Sequence, residues 1–365
     1  MARIRPFVFN DIEPVVRLYQ KIHGTGSAGN DLQFCEYLDQ LFFKNPWVDS
    51  ELPCLVYQDE SGALSGFLGV IPRRMTFKGQ PIRVAVSNSF MVDPSRRNTL
   101  AAVELQKAFF SGPQDLSFTD GANEPSRVIW ERLGGIAAPL YSLWWARVLR
   151  PGQFVVNFLR QKSERLTPLT YGLKPASMAA DLVAGWVKPN DFEAIVGDAT
   201  SEELTPATLL QCIPKFAGGV SLTPEYDQQS LSWLLAMAEL KRQYGVLRRV
   251  AVRSARGDVI GWYLYYQKRA ADGHVLQFMA RKDSVHQVLN HLFLDASRLG
   301  SSSLSGRFEP RFMHQLSENY CYFRSGTWML IHSGDPELMH AICRGDAFLT
   351  WLEGERWTKF LEFLQ

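Results

Sequence analysis

The feature that most constrains the fold of this chain is a set of short sequence patterns that occur twice in the same order. In each occurrence a glycine-bounded turn leads into an apolar run, a Phe-Met pair follows, and a Glu-Pro pair comes last. The matching positions are Gly62 with Gly257, Phe90 with Phe278, and Glu124 with Glu309. The separation between partners shrinks gradually along the chain, as small loop deletions would make it. The pattern predicts an internal duplication with copies of roughly 150 residues.

The amino-acid composition fits two globular domains, one for each copy of the repeated pattern. The chain has 365 residues, of which 46% are hydrophobic and 21% are charged, enough apolar mass for sizeable cores. This excludes a disordered or fibrous chain. The formal net charge is only +2, so there is no basic surplus to neutralise phosphates and no nucleic-acid partner is expected.

Targeting and metal signals are not found in the sequence. No apolar signal core follows the first charged residues, and no run of about 18 uncharged apolar residues occurs, so we expect no membrane span and a cytoplasmic protein. The five cysteines are scattered without a CxxC pair, and the histidines form no HExxH motif. We therefore expect reduced thiols and no metal site.

The elements of each copy can be predicted from periodicity and from turn signals. In the first copy, strands precede a helix near Thr99–Phe110, a short strand, a helix near 124–133 and aromatic strands near Tyr141–Val148. The second copy has an apolar helical stripe from Val285 to Ala296. This alternation predicts an α/β fold. The expected domains are 1–150, a partly helical connection 151–220, and 221–365 with a helical appendix.

The stretch Val92–Ala102, followed by a helix, a strand, Asn123 and Arg132–Gly135, resembles the GNAT N-acyltransferase superfamily. The resemblance is good over 1–150 and fainter over 220–335. It implies two tandem GNAT-like modules, each a mixed central sheet flanked by helices. The tandem arrangement is also distantly similar to the Fem-type aminoacyl-tRNA-dependent transferases.

The resemblance implies an acyl-CoA-dependent N-acyltransferase that acylates an amine of a small molecule or peptide by direct transfer, with acetyl-CoA or another acyl-CoA as co-substrate. A strand that turns into a helix leaves backbone N–H groups unpaired, and these attract a pyrophosphate. The residues that this assigns to acyl-CoA binding are Val92, Arg96, Arg97, Asn98, Thr99, Leu100, Ala101, Ala102 and Asn123.

Two carboxylates are candidate general bases for the acceptor amine. Asp120 ends a buried strand candidate; it can instead be a turn residue bonded to its own backbone. Glu124 stands before Pro125 at a helix start, where it can simply complement the helix dipole. Both readings remain open for each residue.

Two positions depart from the family pattern. Leu100 stands where the motif has glycine, and Trp130 stands where many members have the tyrosine that protonates the departing thiolate. These departures support a second interpretation, a catalytically inactive GNAT-like binding module. A Fem-type transferase is the third.

Overall fold

The fold is described from a computed structural model, and the description covers residues 2–23, 31–96, 100–162 and 192–358. The chain forms two compact units, each discontinuous in sequence. Unit 1 contains Met1–Ser142, Gly219–Ala238 and Thr327–Gln365, and unit 2 contains Leu143–Gly218 and Glu239–Gly326.

Strands and helices alternate along both units. The strands are β1 (Arg3–Pro6), β2 (Leu55–Gln58), β3 (Leu64–Phe77), β4 (Gln80–Val92), β5 (Leu116–Ala122), β6 (Ile136–Ala137), β7 (Leu143–Val148), β8 (Thr200–Glu203), β9 (Leu222–Pro224), β10 (Val246–Arg253), β11 (Val259–Gln267), β12 (Asp272–Ala280), β13 (Ser303–Arg307), β14 (Tyr322–Ser325) and β15 (Trp328–His332). The helices are α1 (Ile12–His23), α2 (Asp31–Phe42), α3 (Ala101–Phe110), α4 (Glu124–Arg132), α5 (Pro151–Lys162), α6 (Phe192–Val196), α7 (Pro206–Phe216), α8 (Gln228–Glu239), α9 (Val285–Arg298), α10 (Met313–Glu318) and α11 (Pro336–Cys343).

Unit 1 is built on a mixed sheet with the order β1-β2-β3-β4-β5-β15-β6, and β9 pairs with β3. The long hairpin β3–β4 turns at Lys78 and Gly79, which both have positive φ (51° and 79°), as a two-residue hairpin turn requires. β4 and β5 run parallel, and α3 makes the crossover between them that parallel pairing demands.

Unit 2 repeats this arrangement in a sheet with the order β14-β7-β13-β12-β11-β10-β8. Here β12 and β13 form the parallel pair, and α9 is the crossover. The predicted apolar stripe of α9 is buried, and Gly300 ends the helix region with φ +87°.

The paired sequence patterns lie on equivalent elements of the two units. Gly62 and Gly257 adopt nearly the same positive φ (84° and 85°) in the turns before β3 and β11. Phe90 lies on β4 and Phe278 on β12, and Glu124 and Glu309 precede or begin the helices after β5 and β13. The expected α/β architecture of two modules, each a mixed sheet flanked by helices, is therefore confirmed.

The strand that completes each sheet differs from the expectation. The predicted strand near Tyr141–Val148 closes the sheet of unit 2, where β7 pairs with β13. β15, from the other end of the sequence, pairs with β5 in unit 1. α11 also lies in unit 1, so it is no appendix of the second module. The compact units accordingly do not follow the contiguous ranges 1–150, 151–220 and 221–365.

Candidate functional site

The parallel strands β4 and β5 pair over a short stretch and then diverge. Their ladder joins Val84–Val86 to Leu116–Phe118, although β4 continues to Val92. Further along β4, Ser89 and Phe90 together lie opposite a single residue of β3, so β4 has a β-bulge at this point. Ser89 has a positive φ of 50° in this bulge. The divergence opens a gap in the sheet beside the last residues of β4.

The turn from β4 into α3 follows this gap directly. Val92 is the half-buried last residue of β4, and Leu100 is the N-cap of α3, with its side chain 67% exposed. The first hydrogen bond of α3 runs from the Glu104 N–H to the Leu100 carbonyl. The backbone amides at the start of a helix precede this first bond and have no intrahelical acceptor. Ala101 is buried and Ala102 half-buried at this end of the helix. N-termini of helices are positions that favour anions in general.

The two arginines of this turn are described only in part. Arg96 ends a short 3-10 helix, Pro94–Arg96. Arg97, Asn98 and Thr99 lie outside the described residues. Their roles in binding an acyl-CoA stay predictions from the sequence.

Asp93 fixes the start of the turn. Its Oδ2 accepts a hydrogen bond from Lys21 Nζ (2.6 Å), and its Oδ1 accepts from the amide and hydroxyl of Ser95 (2.9 and 2.7 Å). Partial burial alone would raise the pKa of Asp93, but the bonds from Lys21 and Ser95 lower that pKa to about 2. The carboxylate therefore stays ionised and holds α1 to the turn.

Asn123 and Glu124 lie where α4 begins. The Asn123 side chain accepts from the Ser126 amide (3.0 Å), so it is the N-cap. Glu124 is exposed and forms an ion pair with Arg127, whose hydrogen bond lowers the pKa of the Glu124 carboxyl. The Trp328 indole also donates to Glu124 (3.0 Å). These contacts fit the structural interpretation of Glu124.

Asp120 is buried, and its carboxylate accepts hydrogen bonds from backbone amides. Its Oδ1 accepts the amides of Glu355 (2.7 Å) and Arg356 (3.0 Å), from the far end of the chain. A Cβ on Gly354 would lie 2.1 Å from Asp120 Oδ2, so only glycine permits this approach. Asp120 thus anchors Thr350–Thr358, hereafter the C-terminal segment.

The C-terminal segment fills the gap between β4 and β5. The buried Glu355 carboxylate accepts a hydrogen bond from Thr119 Oγ1 on β5 and one from the Ser89 amide at the β4 bulge (3.2 Å). Asn88 Nδ2 on β4 donates to Thr358 Oγ1 (2.7 Å). Glu355 is therefore the carboxylate that bridges the two strands where their own ladder has stopped.

The sequence analysis did not identify Glu355 as a candidate. A signal was present, because Glu353 and Glu355 are acidic residues in a stretch rich in apolar and aromatic side chains. Buried carboxylates are uncommon unless they are paired or functional. The run alone does not indicate which strands it crosses.

Trp130 is a core residue. Its ring is 1% exposed and meets Phe110 edge-on (4.9 Å between ring centroids) and Phe109 at 6.2 Å. Trp130 has no hydroxyl group to donate, and its indole packs against the two phenylalanines at the end of α3.

Neither a membrane-spanning helix nor a metal cluster is present among the described residues. Within them, no helix combines the length and the apolar character that crossing a membrane requires. The same residues contain no group of three or more His, Cys, Asp or Glu side chains suited to hold a metal ion.

Sequence comparison and structure comparison give different results for this chain. No protein-family model matches it, and no curated protein is detectably similar in sequence. Solved structures are similar over most of its length. A probable N-acyltransferase from Enterococcus faecalis V583 is 11% identical, with 91% of this chain and 72% of that chain covered and a TM-score of 0.57.

Two further structures agree. A GCN5-related N-acetyltransferase from Kribbella flavida is 10% identical, with a TM-score of 0.57. The match covers 90% of this chain and 70% of the Kribbella flavida chain. An N-myristoyltransferase from Saccharomyces cerevisiae, solved with bound myristoyl-CoA and inhibitors, is 10% identical, with coverages of 91% and 80% and a TM-score of 0.55. The chain therefore has the fold of the GNAT N-acyltransferases. The more distant Fem-type resemblance stays a prediction from sequence.

Proposed function

We propose that unit 1 is an N-acyltransferase that moves an acyl group from an acyl-CoA to an amine of a small molecule or peptide. The observation that carries the proposal is the divergence of β4 and β5 beside the β4–α3 turn, with the Glu355 carboxylate at the bulge amide of Ser89. The similar solved structures support it, since they include acetyltransferases and a myristoyltransferase that binds myristoyl-CoA.

In this proposal the acyl-CoA binds along the β4–α3 turn. The first amides of α3 and the guanidinium groups of Arg96 and Arg97 bind the pyrophosphate, and Asn123 lies near the pantetheine arm. The Ser89 amide, released from Glu355, donates to the thioester carbonyl and stabilises the oxyanion that forms there.

Glu355 then acts as the general base. The neutral amine attacks the thioester carbonyl carbon, a C–N bond forms and the C–S bond breaks. The proton that the attacking nitrogen loses passes to the Glu355 carboxylate and from there, through water, to the departing thiolate, because Trp130 has no acidic hydroxyl. This transfer leaves free coenzyme A and regenerates the Glu355 carboxylate. Asp120, our sequence-based candidate, instead holds Glu355 in position through its backbone amide.

Binding without catalysis is the alternative function. It is favoured by the C-terminal segment, which occupies the gap that a thioester would enter. The two functions differ in whether the Glu355 side chain leaves the Ser89 amide when an acyl-CoA is bound, while Asp120 keeps the Glu355 backbone in place.

Replacing Arg96 and Arg97 together with alanine is expected to weaken coenzyme A binding by roughly 1–3 kcal/mol, because charge-assisted hydrogen bonds to the pyrophosphate are lost. Calorimetric titration of the full chain with coenzyme A measures this. The control is the double alanine variant of Arg249 and Arg253, two arginines on β10 of unit 2, which should bind as the wild type does. Equal affinity of all three proteins would move the pyrophosphate site away from this turn.

A further inference from the structure

The Glu355 carboxylate is held through both of its oxygens, by different groups on the two diverging strands. Thr119 Oγ1 on β5 donates to Oε1, and the Ser89 amide at the β4 bulge donates to Oε2 (3.2 Å). The proposed reaction treats these two bonds differently. The Ser89 amide turns to the thioester carbonyl, so the bond from Thr119 is the one that stays on the carboxylate during the transfer.

The Thr119 hydroxyl is directed toward Glu355 by its surroundings. Thr119 is buried on β5, and its β-branched side chain has few χ1 rotamers available in a strand. Its Oγ1 accepts the Gly121 amide (3.4 Å). An ionised carboxylate has no proton to give, so the single proton of the hydroxyl lies on the bond to Glu355. The strand thus places a donor at a fixed point beside Oε1.

The backbone of Glu355 is fixed separately from its side chain. Asp120 Oδ1 accepts the Glu355 amide (2.7 Å). On the other side of the residue, Thr358 Oγ1 donates to the Glu355 carbonyl (2.7 Å). Asn88 Nδ2 on β4 in turn donates to that hydroxyl (2.7 Å). The carboxylate can therefore leave the Ser89 amide by rotation of its side chain, while its Cα stays in place.

We propose that Thr119 is the positioning residue of the general base: its hydroxyl holds Oε1 of Glu355 while Oε2 leaves the Ser89 amide and takes the proton of the attacking amine. This inference rests on the proposed function. A hydrogen bond to an ionised carboxylate favours the charged form, so losing the Ser89 amide makes Oε2 the more basic oxygen. The N–H bond breaks with its electron pair on nitrogen, and an O–H bond forms at Oε2. Thr119 itself exchanges no proton with the substrate.

A first test follows the Glu355 carboxyl without any acyl transfer. Thr119→Val keeps the shape of the side chain and removes the hydroxyl, so the ionised carboxylate loses a stabilising bond. Carbon-13 NMR of the full chain, with labelled glutamate carboxyl carbons, follows the titration, and Glu355→Gln identifies the signal. We expect the midpoint of Glu355 to move to higher pH by about one unit or more in Thr119→Val, and to stay near that of the wild type in Thr119→Ser.

Kinetics test the positioning itself. Turnover is measured over a series of pH values with acetyl-CoA and the best acceptor from panels of small-molecule and peptide amines. We expect Thr119→Val to lower kcat by about tenfold or more, because a misplaced base no longer reaches the amine. The acidic limb of its kcat profile should also move to higher pH. KM for acetyl-CoA should change little, since the donor binds along the β4–α3 turn, and Thr119→Ser should restore wild-type behaviour.

Thr76→Val is the matched control. Thr76 lies on β3 of the same unit, is partly buried, and shares a hydrogen bond with the Thr223 hydroxyl (2.7 Å). Its valine variant should keep the wild-type turnover and pH profile. The charged groups that flank Glu355 are present in every variant and cannot cause a difference between them: Asp120 on β5, and Glu353 and Arg356 on the C-terminal segment.

A folded Thr119→Val with the wild-type midpoint for Glu355 would overturn the inference, and it would leave the transfer reaction standing if Glu355→Gln alone is impaired. Equal impairment of Thr119→Ser and Thr119→Val would assign the effect to packing and overturn it too. No acylated amine from the wild type would contradict the transfer reaction itself, and with it the role of Thr119. If Thr119→Val does not fold, Thr119→Ala, which also lacks the hydroxyl, must show the same shift to higher pH.

Discussion

Glu355→Gln is expected to lower the turnover of acyl transfer by about 10²–10⁴-fold, the usual contribution of a general base. Glutamine keeps an acceptor oxygen for the Ser89 amide and can donate to the Thr119 hydroxyl, so the C-terminal segment should stay in the gap. Coenzyme A affinity and the urea midpoint should therefore change little. Steady-state kinetics, titration and unfolding on the same preparation separate loss of the base from loss of structure.

Asp120→Asn is the matched comparison, because it also replaces a buried carboxylate with its amide. The asparagine oxygen can still accept the amides of Glu355 and Arg356, so turnover per folded molecule should remain close to that of the wild type. The reverse outcome, a large loss in Asp120→Asn with normal turnover in Glu355→Gln, would make Asp120 the base and contradict our assignment.

Trp130→Ala is expected to destabilise the protein by about 3–5 kcal/mol, since it removes a large buried ring that packs on Phe109 and Phe110. Urea denaturation followed by circular dichroism measures the loss. The physical reason is a cavity that the surrounding side chains cannot fill completely.

Trp130→Phe distinguishes packing from chemistry at this position. An aromatic ring of smaller volume should cost much less stability and leave turnover per folded molecule unchanged. A loss of turnover in Trp130→Phe at normal stability would show that the indole takes part in the reaction, against our account.

Much of each module could be predicted because its signals are local. The apolar stripe of α9 and its terminating Gly300 determine a helix whatever the rest of the chain does. The order strand, crossover helix and strand around α3 and α9 then implies two parallel pairs. The duplicated turns at Gly62 and Gly257 fixed the correspondence between the modules.

The strands that complete the sheets could not be assigned in this way. The pattern of apolar and polar residues in β7 and in β15 would be the same in either sheet. Such a pattern shows which face of a strand is buried, but it does not show which neighbouring strand it pairs with. Partner choice depends on contacts far apart in sequence. Here β15 covers the free edge of β5, and β7 covers that of β13.

The same reason explains why the sequence identified Asp120 but missed its function as an anchor. Asp120 and the Glu355 amide that it binds are 235 residues apart. Local pattern showed a buried acidic residue at a strand end, and the structure shows what it holds. Arg73 is comparable, since nothing in a single strand pattern predicts that its guanidinium is buried.

Direct observation of transfer tests the central claim most sharply. The full chain is incubated with acetyl-CoA or a longer acyl-CoA and with panels of small-molecule and peptide amines, and mass spectrometry follows the acylated amine and free coenzyme A. We predict that both products form in equal amounts, dependent on the protein and strongly reduced in Glu355→Gln. Acyl-CoA that binds to folded protein but yields no acylated amine with either panel would contradict the transferase account and favour a binding module.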